Sequence, residues 1–289
     1  MSAADATFAN QPKRACVLGW PISHSRSPLI HGHWLQEHKL EGSYERVGVP
    51  PDQFAAFLRS IPEQGGYVGA NVTIPHKEAA FELVDEADET ARALKACNTL
   101  WVEDGILFGS NTDAYGFLAN LDAEEPGWDQ DVQVAVVLGA GGAARSIVYG
   151  LQARGIENTL VVNRTLERAE ALVGDLGGQA VAWDDLSSIL TSADLIVNTT
   201  SLGMSGQPPL EIDLAIAPDR TLVTDAVYVP LQTPLLAAAH ARGQRTVDGL
   251  GMLLHQAVPG FERWFGVRPT VTPALRQVIV DDLTKAAHG

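Results

Sequence analysis

The stretch Val134-Ala135-Val136-Val137-Leu138-Gly139-Ala140-Gly141-Gly142-Ala143-Ala144-Arg145 decides the reading of this chain. It opens with a continuous apolar, largely β-branched run, the pattern of a strand buried on both faces in a parallel sheet. The run breaks into Gly139-x-Gly141-x-x-Ala144, and residues 145–154 have helical composition. Glycine allows a sharp turn and close approach of backbone N–H groups to a pyrophosphate. Ala144 keeps the helix near the strand, and the helix N-terminus adds partial positive charge. Such glycine-rich turns have many uses by themselves. Here a strand precedes the turn, a helix follows, and a second strand is expected at residues 158–163, so the context points to dinucleotide binding.

The end of that second strand indicates which dinucleotide. An NAD site usually places an acid there to accept hydrogen bonds from the ribose 2′-hydroxyl. This chain has Asn163-Arg164-Thr165-Leu166-Glu167-Arg168 instead. An acid would repel a 2′-phosphate, whereas an arginine makes charge-assisted, often bidentate hydrogen bonds to it. Thr165 is placed to cap the next helix, with Arg168 in its first turn. Most arginines are solvated surface residues. The absent acid and the doubled cation nevertheless favour NADP.

The 289 residues suffice for two domains with their own cores. A formal net charge of −15 argues against nucleic acid or an anionic membrane as partner. An anionic ligand would therefore need locally placed cations and helix N-termini. Cys16 and Cys97 have no metal-ligand spacing and suit a reducing compartment. With no secretory leader pattern and no run near the roughly 18 apolar residues of a membrane span, a cytoplasmic protein is expected. His31 and His33 lie two apart in an expected helix and point to different faces, so no metal site is expected.

Strand and helix signals alternate along the chain, which indicates an α/β architecture. Strands are expected at residues 14–18, 44–49, 68–74, 99–103 and 106–109, the last two flanking the hairpin signal Asp104-Gly105. Helices are expected at 28–39, capped by Ser27, and at 52–60, 76–84, 89–96 and 113–121. Residues 122–131 read as a loop. Further strands near Ala180 and at 195–198, 222–226 and 245–247 bring the second domain to about six, as in a doubly wound dinucleotide domain. Residues 250–265 read as helical, and the chain after Gly249 is expected to return to the first domain. Two domains imply a cleft, with substrate groups supplied mainly by residues 1–113.

Several polar segments could serve such a site. Ser25 and Ser27, with the helix starting at Pro28, could bind a carboxylate, although from this segment alone Ser27 reads rather as a simple cap. Thr73 and Lys77 in Asn71-Val72-Thr73-Ile74-Pro75-His76-Lys77 fall where a strand feeds a helix, at the sheet edge that open α/β sheets use for ligands. Alone, Lys77 reads as a surface lysine and Asp113 as a helix cap.

The combination is more specific. Ser-x-Ser-Pro, Asn-Val-Thr-Ile-Pro-His-Lys, Asn98-Thr99-Leu100, Asn111-Thr112-Asp113, Gly-Ala-Gly-Gly-Ala, Asn-Arg-Thr and Asp248-Gly249-Leu250-Gly251-Met252 occur in this order. From about Val17 to Phe265 the chain closely resembles the shikimate dehydrogenase family. The resemblance implies a two-domain α/β fold: a substrate domain of residues 1–113 and 249–289, and a Rossmann-type doubly wound NADP domain of residues 114–248. Its C-terminal helices would return to the substrate domain. It implies NADPH-dependent, reversible reduction of 3-dehydroshikimate to shikimate in the chorismate route to aromatic amino acids, by a monomer or homodimer.

By motif, Ser25 and Ser27 would hold the substrate carboxylate. Thr73, Lys77, Asn98, Asp113, Tyr228 and Gln256 would surround the ring hydroxyls. Gly139, Ala140, Gly141, Gly142 and Ala143 would bind the pyrophosphate, and Asn163, Arg164, Thr165 and Arg168 the adenosine end. Glu89, Ala226 and Gly249 match further cofactor-contacting positions, Ala226 through its backbone. Lys77 would protonate the developing alkoxide, and Asp113 would orient the lysine and the C4 hydroxyl. Trp20 and His76 depart from the family pattern, where asparagine and phenylalanine are common, and could reshape the cleft wall. The rival readings are a quinate/shikimate dehydrogenase using NAD and a non-catalytic NADP-binding sensor.

Overall fold

The computed structural model of the protein describes residues 12–64 and 66–288. Residues 1–11, where no leader pattern was read and where the expected 1–113 domain begins, lie outside the described residues. The chain divides into two compact units: residues up to Thr112 together with those from Gln256 onward, and Asp113–His255.

The first unit holds β1 (Lys13–Gly19), β2 (Gly42–Gly48), β3 (Gly69–Val72), β4 (Glu86–Ala87), β5 (Thr99–Glu103) and β6 (Ile106–Ser110), in the sheet order β2-β1-β3-β5-β6-β4. β1 runs parallel to both β2 and β3, so their carboxyl ends share one edge. β5 and β6 form an antiparallel hairpin through Asp104 and Gly105, whose φ angles of 52° and 78° match the turn that Asp-Gly favours. Its helices include α1 (Ser27–Glu37), α2 (Pro51–Gln64), α3 (Lys77–Leu83) and α4 (Glu89–Leu94). Leu18, Val72 and Leu100 pack with Phe54 and Leu58 of α2 in one apolar cluster. A separate aromatic group joins His31, Trp34 and Tyr44 to Phe261 and Trp264. The Trp264 indole donates to the Leu100 carbonyl (2.8 Å) and the Trp34 indole to that of Thr270 (3.0 Å). These bonds fasten α11 (Ala257–Phe265) and the segment leading to α12 (Pro273–His288) to the first unit.

The second unit is the expected doubly wound sheet. Its strands β7 (Ala135–Leu138), β8 (Thr159–Asn163), β9 (Gln179–Ala182), β10 (Leu195–Asn198), β11 (Leu222–Asp225) and β12 (Arg245–Val247) are all parallel, in the order β12-β11-β10-β7-β8-β9. Alternate residues feed two cores. Val137, Val197 and Leu222 pack with α5 (Asp113–Glu124), α6 (Gly142–Ala153) and α7 (Leu166–Leu176), while Val136, Leu138 and Val223 pack with α8 (Leu186–Leu190) and α9 (Pro234–Ala241). Burial on both faces explains why β7 reads as unbroken apolar residues.

Several boundaries differ from the sequence reading. Residues 250–265 form two helices, and the first, α10 (Leu250–His255), packs against α5 inside the second unit. Gly251 permits this contact, because a Cβ there would collide with the Asn120 amide. The same amide donates to the Asp248 carbonyl at 2.8 Å. The chain thus rejoins the first unit at Gln256 rather than at Gly249. α5 runs on through Glu124, into the stretch read as loop, and α6 starts at Gly142 instead of Arg145. Among the described residues, no helix is long and apolar enough to cross a membrane.

Candidate active site

In the second unit the strand order reverses between β7 and β10, the position where doubly wound sheets open a crevice beyond the strand carboxyl ends. A groove of about 210 Å³ lies there, lined by Gly139, Ala140, Gly141, Asn163, Arg164, Trp183 and residues 199–202. Gly139 has φ 110°, and a Cβ on it would stand 2.5 Å from the Thr199 hydroxyl. Only glycine fits this turn. Gly141 occupies the N-cap of α6, so the first N–H groups of that helix open beside it. Thr165 takes the N-cap position of α7 as expected, but its side chain makes no capping bond. The Asn163 amide instead donates to the Thr165 carbonyl at 2.8 Å. Arg164 and Arg168 are both exposed. A turn open to a phosphate chain and an arginine at the end of β8 fit NADP.

The sequence reading missed the far wall of this groove. Asn198 accepts from the Thr200 N–H (3.0 Å) and hydroxyl (2.8 Å) and donates to the Leu202 carbonyl (3.1 Å). Its amide also donates to buried Asp225 at 2.9 Å, which accepts from the Val227 N–H (3.0 Å) and the Thr233 hydroxyl (2.7 Å). Burial pushes the Asp225 carboxyl up to about 6, against the hydrogen bonds that oppose the shift. Asp225 therefore ties the groove loop to the segment carrying Ala226 and Tyr228, and Gly249 lies against the backbone of residues 225–226. The available signal was Asn198-Thr199-Thr200-Ser201, a polar run directly after an apolar strand.

In the first unit the structure corrects the role of Ser27. Arg26 holds the N-cap position of α1, and Ser27 is the first helical residue with Pro28 behind it. The Ser25 hydroxyl accepts from the Ser27 N–H (3.4 Å) and donates to the Ser27 hydroxyl (3.3 Å). The helix start is thus satisfied locally by Ser25 rather than by the Ser27 side chain.

At the ends of β3 and β5, the Thr73 N–H donates to the Leu18 carbonyl (2.9 Å) and the His76 N–H to that of Thr73 (2.9 Å). This turn delivers Lys77 as the first residue of α3, and the Lys77 carbonyl accepts from the Cys97 N–H at 2.9 Å. Asn98 follows Cys97. Its Oδ1 accepts from the Thr99 hydroxyl (2.9 Å) and the Thr112 N–H (2.8 Å), while the Thr112 hydroxyl donates to the Gln256 carbonyl at 2.8 Å. The Asn71 amide donates to the Asn98 carbonyl (3.1 Å), and the Tyr44 hydroxyl donates to Asn71 Oδ1 (2.6 Å). One polar network thus connects Tyr44 with Asn98 and Gln256.

Asp113 and Tyr228 belong to the second unit, and Asp113 directly follows the anchored Thr112. Glu89 is an exposed residue at the start of α4 and belongs to the first unit, whereas the other cofactor candidates belong to the second. His76 does not form an outer wall: it is buried, stacked on Phe54 at 4.2 Å, with Nε2 donating to the Val49 carbonyl at 2.7 Å. Trp20 is exposed. His31 is fully buried against Tyr44, and burial lowers its pKa to about 3, so it serves no acid–base role near neutrality. Burial raises the Cys97 thiol to about 12 and Cys16 as well, which removes both as nucleophiles. Among the described residues, no group of three or more His, Cys, Asp or Glu could hold a metal ion.

A doubly wound unit with a groove at its switch point, in one chain with an α/β unit bearing a network of hydroxyl and amide groups, is the arrangement of a dinucleotide-dependent oxidoreductase. Family profiles match along the same division. A shikimate dehydrogenase substrate binding domain matches residues 17–100, shikimate/quinate 5-dehydrogenase matches 123–205, and the shikimate 5′-dehydrogenase C-terminal domain matches 249–279. A shikimate dehydrogenase (NADP(+)) of Azorhizobium caulinodans is 59% identical over 96% of this chain and 98% of its own. The same-named protein of Brucella abortus is 56% identical over 95% of this chain and 96% of its own. Among solved structures, shikimate 5-dehydrogenase from Thermus thermophilus in complex with NADP(H) and shikimate superposes with a TM-score of 0.83 at 35% identity, covering 93% of this chain and 99% of that one. Quinate dehydrogenase from Corynebacterium glutamicum in complex with NAD gives 0.86 at 29% identity, covering 94% and 100%. The chain belongs to the shikimate dehydrogenase family.

Proposed function

We propose that this protein is an NADP-dependent shikimate dehydrogenase that reversibly reduces 3-dehydroshikimate to shikimate for chorismate and aromatic amino acid biosynthesis in the cytoplasm. The observation that carries the reading is Arg164, at the end of β8 and beside a groove that only glycine at 139 leaves open, in a chain 59% identical to an NADP-linked relative. Gly139, Ala140, Gly141, Gly142 and Ala143 hold the pyrophosphate through backbone N–H groups. Asn163, Arg164, Thr165 and Arg168 receive the adenosine end and its 2′-phosphate. Ala226 and Gly249 offer backbone to the rest of the cofactor, and Glu89 is a further contact. NADPH, when bound, supplies the hydride that the C3 carbonyl accepts.

The chain's own residues do the remaining work. Ser25 and Ser27 donate to the substrate carboxylate. Lys77 gives an ammonium proton to the C3 oxygen as that oxygen gains negative charge, and recovers it in the reverse direction. Asp113 accepts from the C4 hydroxyl and orients Lys77. Asn98 serves a ring hydroxyl. Thr73, Tyr228 and Gln256 complete the polar contacts.

The likeness to a quinate dehydrogenase in complex with NAD makes quinate with NAD the competing reading. An activity matrix of shikimate and quinate with NADP+ and NAD+, followed at the reduced-nicotinamide absorbance, tests both. We expect shikimate with NADP+ to lead in kcat/KM. Comparable values for the two acids, or a lead for NAD+, would overturn the assignment. No turnover with any pair would leave a cofactor-binding protein without this chemistry.

A further inference from the structure

The net charge of −15 makes an anionic substrate an unfavoured visitor unless a cation stands where its carboxylate binds. Two arginines lie beside the serine pair. Arg26 sits between Ser25 and Ser27 in sequence, but its guanidinium pairs with Asp282 of α12 at 3.0 Å and is largely withdrawn from solvent. Its charge is already answered. Arg46 comes from the carboxyl-terminal part of β2, two residues after Tyr44 and therefore on the same face of the strand. Its Nε donates to the Ser25 carbonyl at 2.8 Å. Among the described residues, no carboxylate lies within ion-pair distance of Arg46, and the adjacent Glu45 is engaged with Arg14 and Tyr67.

β2 thus holds the serine pair through Arg46, which bonds the Ser25 backbone, while the Ser25 hydroxyl in turn bonds that of Ser27. An arginine presents five N–H donors in a planar fork, and the Ser25 carbonyl takes one of them. The delocalised positive charge is consequently held at the Ser25 backbone.

We infer that Arg46 determines the preference for a carboxylate-bearing substrate, by positioning Ser25 and by supplying the unanswered positive charge at the carboxylate site. The inference rests on the proposed role of the serine pair.

The test compares shikimate with its neutral methyl ester, using NADP+ and wild type, R46Q and R46K. Glutamine retains an amide donor for the Ser25 carbonyl but removes the charge, and lysine retains the charge. R46Q should lower kcat/KM for shikimate about 5–20-fold, mostly through KM, because Arg46 is exposed and a charge-assisted contact is weakened there by solvent. The methyl ester should lose less than about twofold, and R46K should recover most of the loss with the acid. In wild type, the acid-to-ester ratio should fall as salt screens the charge, and in R46Q it should be nearly flat. Near-UV circular dichroism and thermal unfolding of the whole chain report that the variants are folded. Equal losses for acid and ester would reduce Arg46 to a structural anchor and overturn the inference, as would an unchanged R46Q. Wild type inactive on shikimate would overturn the proposed function and this inference with it.

Discussion

Lys77 carries the sharpest expectation at the scale of single residues, because it is the only ammonium the proposed reaction uses. A group that acts on charge developing in the transition state contributes little to ground-state binding. Lys77→Ala should lower kcat about 10²–10⁴-fold, the range for a positioned acid, while KM moves much less. Steady-state rates retaining most of the wild-type kcat would remove Lys77 from proton transfer. Cofactor choice tests a different pair. Arg164→Ala with Arg168→Ala removes one cation just after β8 and one in the first turn of α7, each charge-assisted contact being worth about 1.5–3 kcal/mol. NADPH binding measured by titration should weaken strongly while NADH binding changes little, since only NADPH carries the 2′-phosphate. Equal weakening would give the arginines to the fold instead. These residues were legible in the sequence because special positions demand them: a strand end where an acid is usual, a turn that only glycine can make. Thr199, Thr200 and Asp225 were not legible. Their importance comes from strands that meet only after β10 inserts beside β7, and nothing local in the sequence announces that pairing.

At the scale of elements, the apolar strands and the Asp-Gly hairpin were readable, because burial on both faces and a turn with two positive φ angles leave strong local marks. The two-residue β4 and the division between α10 and α11 left none. That division follows from a tertiary contact, Gly251 against Asn120, which joins elements more than a hundred residues apart in sequence. Asp225 shows how such contacts set stability. It accepts hydrogen bonds from Asn198 at the end of β10, from Val227 just after β11, and from Thr233 at the start of α9. No cation is among these partners, and burial raises its folded pKa to about 6, above the roughly 3.9 of an unfolded aspartate. The folded state therefore holds the proton more tightly, and the contribution of Asp225 to stability is fully present below about pH 3.9. It is lost as pH rises through about 6, by an amount on the order of 2–3 kcal/mol. Urea unfolding of wild type and Asp225→Asn at several pH values isolates this slope. The difference in stability between the two should shift in favour of the variant as pH increases from 4 to 6, then level off. A difference independent of pH would show that the carboxyl titrates alike in both states.

At the scale of the molecule, the chain is two compact units with separate cores, and the candidate groups are divided between them. The groove with Gly139, Arg164 and Thr200 lies in the second, while Ser25, Lys77 and Asn98 lie in the first. A ligand stabilises the structure that binds it by mass action, by about 2.7 kcal/mol at a concentration 100 times its Kd. Local openings within that structure become rarer by the same factor, and amide hydrogen exchange reads those openings segment by segment. NADP+ added alone should therefore slow exchange most at the β7–α6 turn, at the end of β8 and in residues 198–202, which Asn198 stitches together. Residues 69–73 and 98–101 at the ends of β3 and β5 should change little under NADP+. They should slow when shikimate is added, because Thr73, Lys77 and Asn98 are its proposed contacts there. Strong protection of those first-unit segments by NADP+ alone would mean that the cofactor orders both units, and the division of labour proposed for this chain would fail. Protection by shikimate confined to the second unit would fail it from the other side, by taking the substrate away from Lys77.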